Sequence, residues 1–142
     1  MSTTSTTHPP ALSTLPSRLT VWAGRSMILI AVAHTAVFAP LAPWSSWLAG
    51  DLHDPAPDSD SVATFWALPG GFVVVLGLLG LLVARAGRQG QRVPGYVGWT
   101  ILVWAALAVG LIGPSGFLLG VIPSGLIIAA DITVRRRPRG RS

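Results

Sequence analysis

Few side chains in this sequence could do chemistry, and they lie far apart along it. His34 sits inside the apolar run 22–41, WAGRSMILIAVAHTAVFAPL. About nine residues past Arg25, or roughly 13 Å of helical rise, it falls near the middle of a bilayer. An ionisable residue at that depth is a candidate functional group, because hydrocarbon makes it costly to keep. The neutral imidazole is the form expected there, since a bare charge in an apolar medium is strongly disfavoured. It could bind a quinone carbonyl, a haem iron or a substrate, or relay a proton. The plainer reading is preferred: a packing histidine hydrogen-bonded to Thr35, Thr100, Ser124 or a backbone carbonyl. Haem is the weakest option, because an electron-transfer haem needs a second axial ligand and no other buried histidine is expected.

Trp66 and Trp104 are the other ligand-binding candidates, set against the commoner role of such rings in packing or in the interfacial belt. Arg25 and Asp131 both lie near one end of their apolar runs. They are read as a candidate ion pair joining the first run to the last, or else Arg25 reaches the headgroups on its own. Asp131 also precedes Arg135 by one helical turn, the favourable order for an acid and a base. Asp51, His53 and Asp54 could form a weak surface metal site, but nothing holds their geometry and solvated carboxylates are the default. No metal site, no cofactor and no catalytic residue is assigned.

The absences narrow the field. The chain has 142 residues, no cysteine, and only 11% charged residues; a soluble domain carries roughly 25%. Dithiol redox chemistry and thiolate metal sites are excluded. No acidic residue lies mid-run, which argues against a small proton-coupled multidrug exporter or a sterol isomerase. The net charge is +5, but the arginines flank apolar runs, and helix-end anchoring explains them better than nucleic-acid binding. No nucleophile–base pair or phosphate loop is present.

The elements that must position these residues are four apolar spans, at about 22–41, 64–83, 96–113 and 116–133. Residues 1–17, rich in Ser, Thr and Pro, read as a disordered tail, with His8 solvated. A cleaved signal peptide over 18–39 is disfavoured, because Pro40 would follow the cut and three further spans come after it. The segment 42–63 carries Trp44 and Trp47, then four aspartates, and reads as the longest loop. Pro69 should kink or loosen the start of span two. Gly70, Gly77 and Ala84 recur every seven residues, with Gly80 four before Ala84, as at a close helix–helix contact. Residues 84–95 form a short basic loop. Gly116 and Gly120 form a GxxxG extended by Ser124, and Pro123 should weaken the helix near the middle of span four. Whether that seam lies within one chain or between chains stays open, with the former preferred.

Arginines stand before span one or at its start, between spans two and three, and in the tail 135–142; the other two loops have none. The positive-inside rule then predicts an all-α, antiparallel four-helix transmembrane bundle, 18–134, with both termini cytoplasmic. Arg135, Arg136 and Arg137 are candidates for binding lipid headgroups, anionic ones included. The function read from this is a multi-pass protein of the inner (cytoplasmic) membrane, more a non-enzymatic structural, lipid-binding or accessory component than an enzyme. The alternative is a small transporter or a quinone-linked redox subunit using His34. A homo-oligomer or a membrane partner protein is compatible with either.

Four short motifs carry a family resemblance: the Gly24-to-His34 region, Phe65-Trp66 with Gly70-Gly71, Pro94-Gly95-Tyr96-Val97-Gly98-Trp99, and Pro114-Ser115-Gly116-Phe117. In this order and spacing, over about residues 22–132, the chain resembles the small four-span bacterial membrane proteins grouped as domain of unknown function 6463. The resemblance implies a four-helix integral membrane protein of unassigned activity and brings no catalytic residues with it. The acidic loop and the arginine tail have no counterpart in that resemblance.

Overall fold

The computed structural model describes residues 17–136. Its helices are α1 (Arg18–Phe38), α2 (Trp44–Ala49), α3 (Ser59–Ala67), α4 (Phe72–Arg88), α5 (Gly95–Ile112) and α6 (Val121–Arg136). Tight 3-10 turns cover Ala39–Leu41, Asp51–His53 and Gly116–Gly120, and the described residues contain no strand. Four helical segments are long and apolar enough to cross a membrane: Arg18–Leu41, Ser59–Arg88, Gly95–Ile112 and Gly116–Arg136.

The expected tails need two corrections. Ser17 belongs to the folded part: its Oγ accepts from the Thr20 amide and hydroxyl and so caps α1, a role suited to a short polar side chain. Its own amide donates to the Gly87 carbonyl at 2.9 Å, which ties the start of α1 to the end of α4. At the other terminus Arg135 and Arg136 continue α6. The rest of both expected tails, with His8 and Arg137, lies outside the described residues.

Pro69 does more than kink its span. The helix ends at Ala67, Leu68 takes a non-helical conformation, and α4 starts only at Phe72. Proline has no N–H to continue the ladder and its ring crowds the preceding turn. The Phe65 carbonyl is recovered by the Leu68 and Gly70 amides. Pro123, by contrast, does not weaken a helix middle. It lies in the first turn of α6, where a missing N–H costs nothing, because the preceding residues form a 3-10 turn. Ser124 donates to the Gly120 carbonyl at 2.7 Å, the i−4 back-bond of a helical serine, and not to the Leu119 carbonyl that a proline at 123 leaves without its i+4 donor. The segment after α1 is also less open than expected: α2 folds there, held by Trp44 Nε1 on the Ala39 carbonyl and Trp47 Nε1 on Ser61 Oγ.

Small residues decide which helices touch. Along α1 and α4, Val21 meets Gly87, Gly24 meets Gly80 and Ala84, and Ala31 meets Gly77, so the contacts run in opposite order on the two helices. A Cβ on Gly24 would collide with the Ala84 backbone and the Gly80 carbonyl. Between α5 and α6, a Cβ on Gly98 would stand 2.8 Å from the Ser124 carbonyl oxygen. Such approach lets backbones make the dispersion contacts that drive helix association in lipid. Helix α1 also packs on α6, whereas α4 and α5 share no extended seam. Ala23, Met27, Val83 and Ile127 form the buried centre.

Most of the other large apolar side chains point the other way. Leu29, Leu81, Leu82, Leu107 and Leu111 are exposed, the last 86% so. A soluble protein seldom shows an apolar surface this continuous. With mostly small residues at the helix contacts and most large apolar ones outside, this packing suits a lipid solvent.

Candidate functional site

Helix α1 places His34 on the face turned toward the break between α3 and α4, roughly 24 Å of helical rise from Arg18. Its Nε2 lies 3.0 Å from the Ala67 carbonyl oxygen. Because α3 stops at Ala67, that carbonyl has lost its helical partner, and the histidine replaces it. This matches the backbone-carbonyl form of the packing reading; Thr35 bonds instead within α1, to Ala31, and Ser124 bonds Gly120 at the end of the turn before α6. A carbonyl oxygen only accepts, so Nε2 carries the hydrogen and Nδ1 of the neutral ring is left as an acceptor.

His34 also opens a line of aromatic rings. It packs on Phe38 and Phe72, with centroids 4.5 and 5.3 Å away. Phe72 meets Trp104 at 5.4 Å and Phe117 at 5.5 Å, and Trp104 meets Phe117 at 5.0 Å. These rings and His34 border a cavity of about 230 Å³ where α4 faces α5. Ser115 borders it too, and its buried hydroxyl is without a hydrogen-bond partner. A buried hydroxyl left unpaired is costly.

Of the three ligand-binding candidates, the structure brings His34 and Trp104 together and leaves Trp66 apart. Trp66 is 60% exposed, does not border the cavity, and rests on Phe65. The sequence reading missed Phe38, Phe72, Phe117 and Ser115. Phe38 follows His34 by four residues, which one helical face would have revealed. The other three stand next to helix breaks, where periodicity gives no direction.

The expected Arg25–Asp131 pair is replaced by another. Asp131 is buried and bonds Arg92, from the loop before α5, through Nε at 2.8 Å and Nη2 at 2.7 Å. Its second oxygen accepts from Arg135 Nε at 2.8 Å, the i,i+4 contact anticipated from spacing. Arg25 instead lies over the exposed Trp22 ring at 5.2 Å, a cation–π contact. The physical reason is reach: Gly95 leaves room for the carboxylate, as a Cβ there would stand 2.7 Å from Asp131 Oδ2, and Arg92 is three residues from it. Asp131 thereby sits at the start of α5, where the helix dipole favours a negative charge.

Arg136 is exposed in the last turn of α6. His53 contacts its own loop, with Nδ1 3.3 Å from the Gly50 carbonyl. Among the described residues no three His, Asp or Glu side chains converge as metal ligands would.

No curated protein and no solved structure matches the chain. The profile of a family of unknown function (DUF6463) matches residues 18–134, covering all four long helical segments except the last two residues of α6. With most of its length matched in this way, the chain belongs to the DUF6463 family.

Proposed function

We propose that this protein is a non-enzymatic, multi-pass component of the cytoplasmic membrane, with a structural, lipid-binding or accessory role. In this reading its helices form an antiparallel four-helix transmembrane bundle, 18–134, with both termini on the cytoplasmic side. One observation carries the reading, the separation of charge. The Ser17–Gly87 and Arg92–Asp131 bonds gather Arg18, Arg85, Arg88, Arg92, Arg135 and Arg136 toward one end. Asp51, Asp54, Asp58 and Asp60 stand between α1 and α3, at the opposite ends of those helices. The positive-inside rule then assigns the arginine end to the cytoplasm. Arg135, Arg136 and Arg137 would hold anionic headgroups, at about 1 kcal/mol each near a charged leaflet. A second copy of the chain or another membrane protein would pack on the exposed leucine surface.

The absence of cysteine from the sequence makes the test direct. Single cysteines in place of Ser59 and Gln91 report the two ends to a membrane-impermeant maleimide. Labelling of Ser59→Cys in intact cells, and of Gln91→Cys only after permeabilisation, is the expected result; the reverse pattern rejects the orientation. Anionic phospholipid retained in mild detergent should fall when Arg135 and Arg136 become glutamine. A second reading, a small transporter or quinone-linked redox subunit using His34, is favoured by the aromatic cavity at which that residue stands.

A further inference from the structure

We infer that the cavity between α4 and α5 binds the hydroxylated aromatic ring of a membrane-dissolved lipid, a hydroquinone or phenol, and favours it over the oxidised quinone. The inference rests on the reading of the chain as membrane-spanning and deepens its His34 alternative by naming the ligand class.

Three features of the cavity specify that ligand. The first is size: a closed apolar cavity of roughly 150 Å³ already holds benzene, so about 230 Å³ has room for a one- or two-ring head. The second is the wall. Phe38, Phe72, Trp104 and Phe117 offer ring faces and edges, the surfaces on which a planar ring packs best. The third is polarity at two points. His34 Nε2–H is committed to the Ala67 carbonyl, so Nδ1 can only accept. The Ser115 hydroxyl has no partner and can donate. An acyl chain would leave both unsatisfied. A quinone carbonyl could use Ser115 but offers His34 Nδ1 no hydrogen. A ring hydroxyl donates and accepts, so it can serve either group. The absence of an extended α4–α5 seam leaves a way out for an apolar tail into the surrounding lipid.

The test uses the full chain in nanodiscs, with equilibrium dialysis against protein-free nanodiscs of the same lipid. The probes are 1-naphthol, naphthalene and 1,4-naphthoquinone. One hydrogen bond in an apolar site corresponds to about a tenfold preference for 1-naphthol over naphthalene. Naphthoquinone should bind more weakly than 1-naphthol. His34→Phe keeps a ring and removes the acceptor, and should bring 1-naphthol and naphthalene close to equal. Should that variant fail to fold, because it also strips the Ala67 carbonyl of its donor, Ser115→Ala decides. It breaks no bond within the protein and should reduce the preference while thermal stability holds or rises, since an unpaired buried hydroxyl is removed. Equal binding of the three probes, no binding of any, or full preference retained in the folded variants overturns the inference. Membrane insertion is scored separately by resistance to carbonate extraction, so failure of the ligand is distinguishable from failure of the spanning reading. Extraction of protein purified from its own membranes then separates the sources. A prenylated hydroquinone or quinone mass points to the redox lipid pool, a non-quinone phenolic mass to another lipid, and phospholipid alone counts against the site.

Discussion

Helix α4 meets its two neighbours in opposite ways. Toward α1 it presents Gly77, Gly80, Ala84 and Gly87, and the two backbones come close enough that a Cβ on Gly24 would collide. Toward α5 it presents Phe72 and Leu76, and the helices stand apart with rings and a cavity between them. The same helix therefore makes a tight backbone seam on one side and an aromatic-lined gap on the other. In lipid there is little hydrophobic gain from bringing helices together, so close fit is the main source of adhesion. The α1–α4 and α5–α6 seams should hold the structure together, while the α4–α5 side can be spared for binding.

Substitutions break that comparison in a ranked order. Gly24→Leu should prevent the α1–α4 seam from closing, with no folded protein recovered in mild detergent. Gly24→Ala should lower the thermal midpoint in steps with the clash it creates, and a wild-type midpoint for Gly24→Leu would refute the seam. Gly98→Val should cost about 1–3 kcal/mol, the usual range for overpacking, read from thermal unfolding followed by circular dichroism. Asp131→Asn should destabilise less than Gly24→Leu, and a double-mutant cycle with Arg92→Gln should show the two effects to be non-additive. Additive effects would mean that the pair observed here contributes no coupling.

On the gap side the effects should be smaller for stability. Trp104, 41% exposed, gives up two ring contacts in Trp104→Ala. These are worth about 0.5–1.5 kcal/mol each, and the cavity should enlarge. Gly125→Ala is the sharpest control. A Cβ there meets nothing within 4 Å, so the glycine should be dispensable and stability should hold or rise slightly through helix propensity. A large loss at Gly125 would point to a contact from outside the chain, such as a second copy.

Much of the fold was legible in the sequence because hydrocarbon imposes simple requirements. A long uncharged run in hydrocarbon has few alternatives to a helix, and each of the four apolar segments overlaps one long helical segment, although the second runs from Ser59 to Arg88 and is interrupted after Ala67. Flanking arginines marked the ends. The spacing of Gly77, Gly80 and Ala84 marks a close-packing face of α4, because side chains three, four and seven apart share one helical face; the partner α1 is not legible from it, and Gly70, read into the same pattern, lies before α4 and packs on Phe65. The Asp131–Arg135 contact followed from the same arithmetic.

Tertiary structure alone decided the rest. Pro69 announced a break, but not that the Ala67 carbonyl freed by it would be taken by His34, 33 residues earlier in the chain. Asp131 chose Arg92 over Arg25 because Gly95 opens space at the start of α5, a matter of how α5 and α6 approach. Phe72, Ser115 and Phe117 join His34 and Trp104 around one cavity. Each stands at a helix start or in a turn, where no period tells which way a side chain points. Helical periodicity and hydropathy are local properties, and the sequence by itself determined what they govern: the spans, their ends and their close-packing faces. Which distant side chains complete one another's hydrogen bonds, and where a gap remains, depends on how four helices settle against each other.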